Sequence, residues 1–205
     1  MKVSAVINKP SFSVDATKKS AIISSIILVV GIISGTIIYF VTDESLINEL
    51  WDYFISFSTD FSNKNKTEII SGLIIQNLIY YILMLLFATC FFGAPAVVVT
   101  SFLKASGLGM LTAYIYDNFA LKGVEYGLLV IFPGKIILIL AMILLTQNCC
   151  MISLDIKNYI TNNSNKIVDL KKFALRSILI LILILVSCLI DFLTIVSFSS
   201  LFDFS

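Results

Sequence analysis

The sequence predicts an all-α integral membrane protein, a five-transmembrane-helix bundle with an amphipathic interfacial helix in the first external loop. Composition is the first reason: 59% of the 205 residues are hydrophobic and 13% are charged, against about 25% charged in a soluble domain. The apolar residues form runs long enough to cross a hydrocarbon core of about 30 Å as helices. The charges lie mainly between these runs, which is typical of a chain that crosses a bilayer several times.

The amino-terminal part predicts a cytoplasmic tail, residues 1–20, followed by a first span over residues 21–41. Lys18 and Lys19 stand directly before the span, where basic residues mark the cytoplasmic side. The span is longer than the apolar core of a typical cleaved signal, about 7–15 residues, and no small-x-small cleavage site follows it. We therefore interpret it as a signal anchor that stays in the membrane.

The external segment, residues 42–70, predicts the amphipathic interfacial helix. Thr42 is a suitable N-cap, and apolar residues then recur at helical spacing. Trp51 and Phe54 belong to that apolar side, and aromatic rings favour the headgroup level of a bilayer. This surface is either a docking site for an external partner or a segment that rests on its own bundle.

The remaining four spans follow from the lengths of the apolar runs. Residues 69–103 contain no charge, which is too long for one span and predicts two, over residues 71–92 and 95–116. Gly93-Ala94-Pro95 supplies the reversal between them, because Gly ends helices and Pro opens them. A short loop, residues 117–123, leads to a span over 124–146. A cytoplasmic loop over 147–173, a fifth span over 174–198 and an external tail over 199–205 complete the chain.

The charge distribution predicts the orientation. The amino tail has four lysines and one aspartate, a net charge of +3, and the stretch 147–176 has five basic and two acidic residues, also +3. The stretch 42–68 has two lysines and six acids, a net charge of −4. Because basic loops stay in the cytoplasm, we expect a multi-pass protein of the bacterial cytoplasmic membrane with the amino terminus inside and the carboxyl terminus outside.

Four ionisable residues are the candidate site. Lys104 and Lys135 lie near mid-depth of the third and fourth spans, Asp191 lies in the outer half of the fifth, and Glu125 lies near the outer end of the fourth. An unpaired charge at the centre of a membrane helix costs about 2.5–3.5 kcal/mol on insertion scales. Pairing between these lysines and acids, contact with a partner protein, and a pathway for an ion or polar solute are the three explanations.

Small residues predict where the helices pack closely. Gly31 and Gly35 form a GxxxG pattern in the first span, and small residues recur every four positions in the third and at the start of the fourth: Ala105, Gly109, Ala113, Gly123 and Gly127. Pro95, Pro133 and Gly134 are the candidate hinge or kink positions. Pro133 removes a backbone donor, so the carbonyl groups near it need other partners.

The sequence points away from catalysis. It contains no histidine, and its four cysteines have no C-x-x-C spacing. It has no P-loop, no G-x-S-x-G and no paired carboxylates within a span. We therefore expect no enzyme activity, no cofactor, no bound metal and no nucleic-acid partner. The expected partners are the lipid bilayer and proteins of the membrane or cell wall, or further copies of the chain itself.

The order of these parts resembles the stage II sporulation protein M family of prokaryotic membrane proteins. The resemblance rests on Phe92-Gly93-Ala94-Pro95, on Phe102-Leu103-Lys104-Ala105 followed by Gly109, and on Lys122-Gly123 and Pro133. A polar inner loop and a last span with an acid complete it, over residues 80–198. Gly134, Lys135 and Leu140 stand where the family often has a polar residue and a second proline, so the chain resembles a divergent member.

The resemblance implies a non-catalytic membrane component that acts as a scaffold or anchor of a complex. In spore formers such a protein partners cell-wall hydrolases. Other branches of the family resemble proteins encoded beside circular bacteriocins. The alternative is therefore a transport or immunity component for a bacteriocin-like peptide or small solute, working with an ABC-type partner.

Overall fold

The computed structural model describes residues 14–42, 66–162 and 170–198, and all of its elements are helical. The helices are α1 (Val14–Val41), α2 (Lys66–Ala88), α3 (Gly93–Tyr126), α4 (Phe132–Asn162) and α5 (Leu170–Phe198). A π-helical turn, Gly127–Ile131, connects α3 to α4. Within the described residues, five helices are long and apolar enough to cross a membrane, and the predicted all-α class is confirmed. The predicted interfacial helix, with Trp51 and Phe54, lies outside the described residues.

Helix α4 lies at the centre of the bundle and packs against each of the other four helices, while α1 packs most extensively against α3. The core residues of α4 include Leu138, Ala141, Leu145 and Cys149, all nearly inaccessible. The outer faces are apolar and exposed, as shown by Ile22, Ile79, Leu86, Leu103 and Leu179. An apolar outer surface of this extent is what a bundle surrounded by acyl chains requires.

The reversal between α2 and α3 comes earlier than the sequence predicts. Helix α2 ends at Ala88 rather than near residue 92, and the turn over 89–92 closes with Gly93 N–H donating to Cys90 O at 3.0 Å. A Cβ on Gly93 would overlap the carbonyl group of Phe87. This close approach of two backbones requires glycine at the first position of α3.

The predicted loop over residues 117–123 is helical. Helices α3 and α4 lie antiparallel, because Ser101 Oγ is 2.7 Å from Thr146 Oγ1 and Cys150 packs near Ala94 O. The chain therefore reverses direction between the candidate spans Gly93–Asp117 and Leu121–Thr161. This stretch has no proline and includes strong helix formers such as Ala120 and Leu121, so propensity favours the helix although polar residues suggest a loop.

Helix α4 also continues beyond the predicted span, from residue 146 to Asn162. Cys149 and Ile152 in this extension are buried, and Ser153 Oγ donates to Cys90 O at 3.2 Å. Packing against the rest of the bundle thus extends the helix into a stretch whose polarity predicts a loop.

Candidate functional site

Lys135 and Asp191 form a buried ion pair between α4 and α5. Lys135 Nζ donates to Asp191 Oδ2 at 2.9 Å, and the two side chains are 19% and 3% exposed. Both residues lie within candidate membrane spans. A charge-assisted hydrogen bond is the arrangement that lets two ionised groups remain inside hydrocarbon.

The second oxygen of the Asp191 carboxylate, Oδ1, lies against Gly134 of α4. Asp191 Oδ1 is buried and has no hydrogen-bond partner among the described residues. A Cβ added to Gly134 would overlap Oδ1 and lie 2.5 Å from Asp191 Cγ. The carboxylate therefore packs directly on the Gly134 backbone, and any larger residue at position 134 would displace it.

Two hydroxyl groups of α5 bond to the backbone around the break in α4. Thr194 Oγ1 donates to Val130 O at 2.7 Å, and Ser187 Oγ donates to Gly134 O at 2.8 Å. Pro133 has no N–H, and the π-helical turn shifts the preceding hydrogen bond so that Phe132 N–H donates to Gly127 O. Inside a membrane, backbone groups released in this way need partners from neighbouring helices, and α5 supplies them.

Lys104 has a different environment from Lys135. Its Nζ lies 4.9 Å from the centre of the Tyr80 ring, on α2. The Tyr80 hydroxyl in turn donates to Thr100 O on α3. A cation above an aromatic ring gains electrostatic stabilisation without a carboxylate. The structure thus assigns Asp191 to Lys135 and places Lys104 on Tyr80.

A second polar contact joins α2 to α5 next to this site. Asn77 Nδ2 donates to Cys188 Sγ at 3.3 Å and to Leu73 O at 3.0 Å. Cys188 lies about one helical turn before Asp191 on α5, and Asn77 lies about one turn before Tyr80, the residue beneath Lys104, on α2. The charged residues of three helices therefore share one region of the bundle interior.

The seam between α1 and α3 contains most of the predicted small residues. A Cβ on Gly35 would overlap Ser106 O, and one on Gly109 would overlap Ile32 O. Gly31 lies against Ala105, since a Cβ at Gly31 would be 2.7 Å from Ala105 Cβ.

Polar contacts run along the same seam. They are Ser34 Oγ to Ser106 Oγ at 3.2 Å, Thr36 Oγ1 to Gly109 O at 3.4 Å and Tyr39 OH to Asp117 Oδ2 at 3.0 Å. Ala113 packs with Tyr39 in this region. The two helices therefore contact each other closely between residues 31–39 of α1 and 102–117 of α3.

Other predicted site residues lie apart from these groups. Glu125 is exposed and does not join the buried charges. Gly127 lies in the π-helical turn, where a Cβ would meet Phe132 at 3.8 Å, an ordinary contact. Gly123 is buried near the end of α3, and Pro95 lies in the first turn of α3, where a missing N–H is tolerated.

Sequence reasoning did not single out Tyr80, Asn77, Ser187 or Thr194. The available signal was a polar side chain inside an uncharged run, but Ser and Thr in membrane helices commonly bond to their own backbone, as Ser25 does to Ala21 O at 2.9 Å. Within the described ranges, no group of three or more His, Cys, Asp or Glu side chains is arranged to hold a metal ion.

Comparison with protein-family models matches residues 24–195 to the family described as Stage II sporulation protein M. The match includes the greater part of all five helices and every residue of the polar interior described above. Searches of curated proteins and of solved structures found no match.

Proposed function

Because the chain belongs to the stage II sporulation protein M family, we propose that this multi-pass membrane protein is a non-catalytic scaffold or anchor of a membrane complex. The observation that carries the proposal is that the polar groups inside the bundle bond its helices to one another. The Lys135–Asp191 pair and the hydroxyls of Ser187 and Thr194 bond α5 to α4. Such bonds fix helices in one arrangement, which is the property a scaffold needs.

The surroundings of Asp191 favour this proposal over transport. A carboxylate that binds and releases an ion must be reachable, but Asp191 is 3% exposed and packs on Gly134. The backbone carbonyl groups of Val130 and Gly134, which could otherwise coordinate a cation, accept hydrogen bonds from α5. A transport pathway through this point would have to break several bonds between helices.

The partners that we propose are cell-wall hydrolases or their membrane subunits, with further copies of the chain as the other candidate. The charge distribution supports an amino terminus inside and a carboxyl terminus outside. In that orientation the acidic segment 42–70 faces the cell wall, where a hydrolase acts.

Co-purification combined with a flux assay tests the proposal. The tagged full-length protein is extracted in a mild detergent from cells that also produce candidate hydrolases, and a second sample is reconstituted in liposomes. We expect stoichiometric recovery of one hydrolase and no solute flux above that of empty liposomes. Recovery of no partner, together with flux that Lys104→Ala abolishes, would overturn the scaffold in favour of transport.

A further inference from the structure

Lys104 lacks an anionic partner within the part of the chain that the structure describes. The interior contains two ammonium groups, Lys104 on α3 and Lys135 on α4. Asp191 is engaged by Lys135 at 2.9 Å. The Tyr80 ring stabilises Lys104 but does not neutralise it. The membrane core thus keeps one surplus positive charge, which is unfavourable in a low-dielectric medium.

A second polar side chain lies on the same side of α2 without a hydrogen-bond partner among the described residues. Gln76 is one helical turn from Tyr80, so both residues share a face of α2. Helices α2 and α3 are antiparallel, with Tyr80 bonded to Thr100, so Gln76 lies near the level of Lys104. We name the surface formed by Gln76, Tyr80 and Lys104 the α2–α3 face.

The surroundings of the α2–α3 face are apolar and accessible. Gln76, Tyr80 and Lys104 are half-buried, while Ile79 on α2 and Leu103 on α3 are 60% and 59% exposed. A ligand that reaches Lys104 from this side therefore contacts hydrocarbon side chains as well as an ammonium and an amide. These chemical requirements match an apolar helix with one acidic residue.

We propose that the α2–α3 face binds a transmembrane helix of a partner protein that carries a carboxylate near mid-depth of the membrane. The carboxylate pairs with Lys104 and accepts a hydrogen bond from Gln76. This inference rests on the proposed scaffold function and specifies how the partner is recognised. A second copy of this chain does not offer the same group from its described helices, because its mid-depth carboxylate, Asp191, is enclosed by Lys135 and Gly134.

Model transmembrane peptides test the proposal. The full-length protein, labelled at the exposed thiol of Cys90, is reconstituted in phosphatidylcholine liposomes with polyleucine peptides that carry Glu, Gln or Leu at the centre. Energy transfer between labels reports association. We expect the Glu peptide to bind at least about tenfold more tightly than the Leu peptide, a difference of about 1.4 kcal/mol.

Variants identify the residue responsible. Lys104→Met should remove the preference for the Glu peptide, Lys104→Arg should retain it, and the exposed-residue control Lys157→Met should leave it unchanged. Lys104→Glu should reverse the preference toward a peptide with a central Lys. Helical circular dichroism and thermal melting establish that each variant is folded, and the wild-type peptide series decides the question if Lys104→Met does not fold.

Three results would overturn the inference. They are equal binding of the Glu and Leu peptides, a Glu preference that survives Lys104→Met, and binding of chloride or of a second copy at Lys104 in place of the peptide. If Lys104→Met recovers a hydrolase as well as the wild type does, binding through Lys104 is rejected but the scaffold function is not. Failure to recover any partner, with solute flux present, would reject the scaffold itself.

Discussion

Lys135 and Asp191 join α4 to α5 through a hydrogen bond of 2.9 Å, and the Asp191 carboxylate packs on the residue next to its partner, Gly134. One short stretch of α4 thus supplies both the charge that Asp191 needs and the space that it occupies. The polar interior is built around this relationship, and it leads to the first two predictions.

Asp191→Asn should destabilise the protein by about 3–5 kcal/mol, because it leaves the Lys135 ammonium buried without its counter-charge. Unfolding in mixed micelles of increasing denaturing detergent measures the change. The double variant Lys135→Met with Asp191→Leu should recover most of the loss, since neither position then carries a charge without its partner. The matched control is Glu125→Gln, at an exposed position, and an equal loss in that variant would contradict the role of the pair.

Gly134→Ala should destabilise the protein by about 1–3 kcal/mol, because the added methyl group overlaps the Asp191 carboxylate and lies 3.0 Å from the Asp191 backbone nitrogen. Gly127→Ala is the control in the same helical stretch, where the methyl group meets only Phe132 at 3.8 Å. Thermal melting in detergent compares the two variants. Equal melting temperatures would show that the carboxylate does not depend on Gly134.

Gly35→Ala should separate α1 from α3, because its methyl group overlaps backbone atoms of Ser106 that cannot rotate away. We expect a loss of about 1–3 kcal/mol. Ser34→Ala removes one contact between the helices, with Ser106 Oγ at 3.2 Å, and a bond within α1 to Gly31 O at 2.8 Å. It should cost about 0.6 kcal/mol, the average for hydrogen bonds between membrane helices. A larger loss for Ser34→Ala than for Gly35→Ala would place the stability of the seam in its hydroxyl groups.

Thr194→Val should weaken the contact between α5 and the π-helical turn by about 0.6–1.7 kcal/mol, because the Val130 carbonyl loses its donor at 2.7 Å. Thr112→Val is the matched control, since Thr112 Oγ1 donates at 2.8 Å to Gly109 O within its own helix. Hydrogen exchange of the amides in residues 127–131 provides a local readout. Faster exchange in Thr194→Val alone is the expected result.

The native cysteines provide a test of orientation. Cys90 is exposed in the turn between α2 and α3, whereas Cys150 is half-buried and Cys149 and Cys188 are buried. With the amino terminus inside, this turn faces the cytoplasm, so a membrane-impermeant maleimide should label the protein in inverted vesicles and not in intact cells. Cys90→Ala should remove the labelling. Labelling of Cys90 in intact cells would reverse the predicted orientation.

The sequence by itself determined the five apolar helices and the positions of their charges along them. Apolar length and charge are local properties, so five spans and the positions of Lys104, Lys135 and Asp191 along them follow without a structure. Helix ends were less predictable. Residues 117–123 and 147–162 are helical. Helix propensity in the first stretch, and burial of Cys149 and Ile152 in the second, outweigh the polarity that predicts loops.

Only the tertiary structure decided which lysine pairs with Asp191. It also explains why a glycine, Gly134, stands directly before Lys135. Either lysine has a suitable depth, and the choice depends on the rotation of three helices about their axes, which hydrophobic length does not specify. The same rotations place Gly134 under the Asp191 carboxylate and Tyr80 under Lys104. Distances of a few ångströms between helices far apart in sequence determine these contacts, and they arise only when the whole bundle packs.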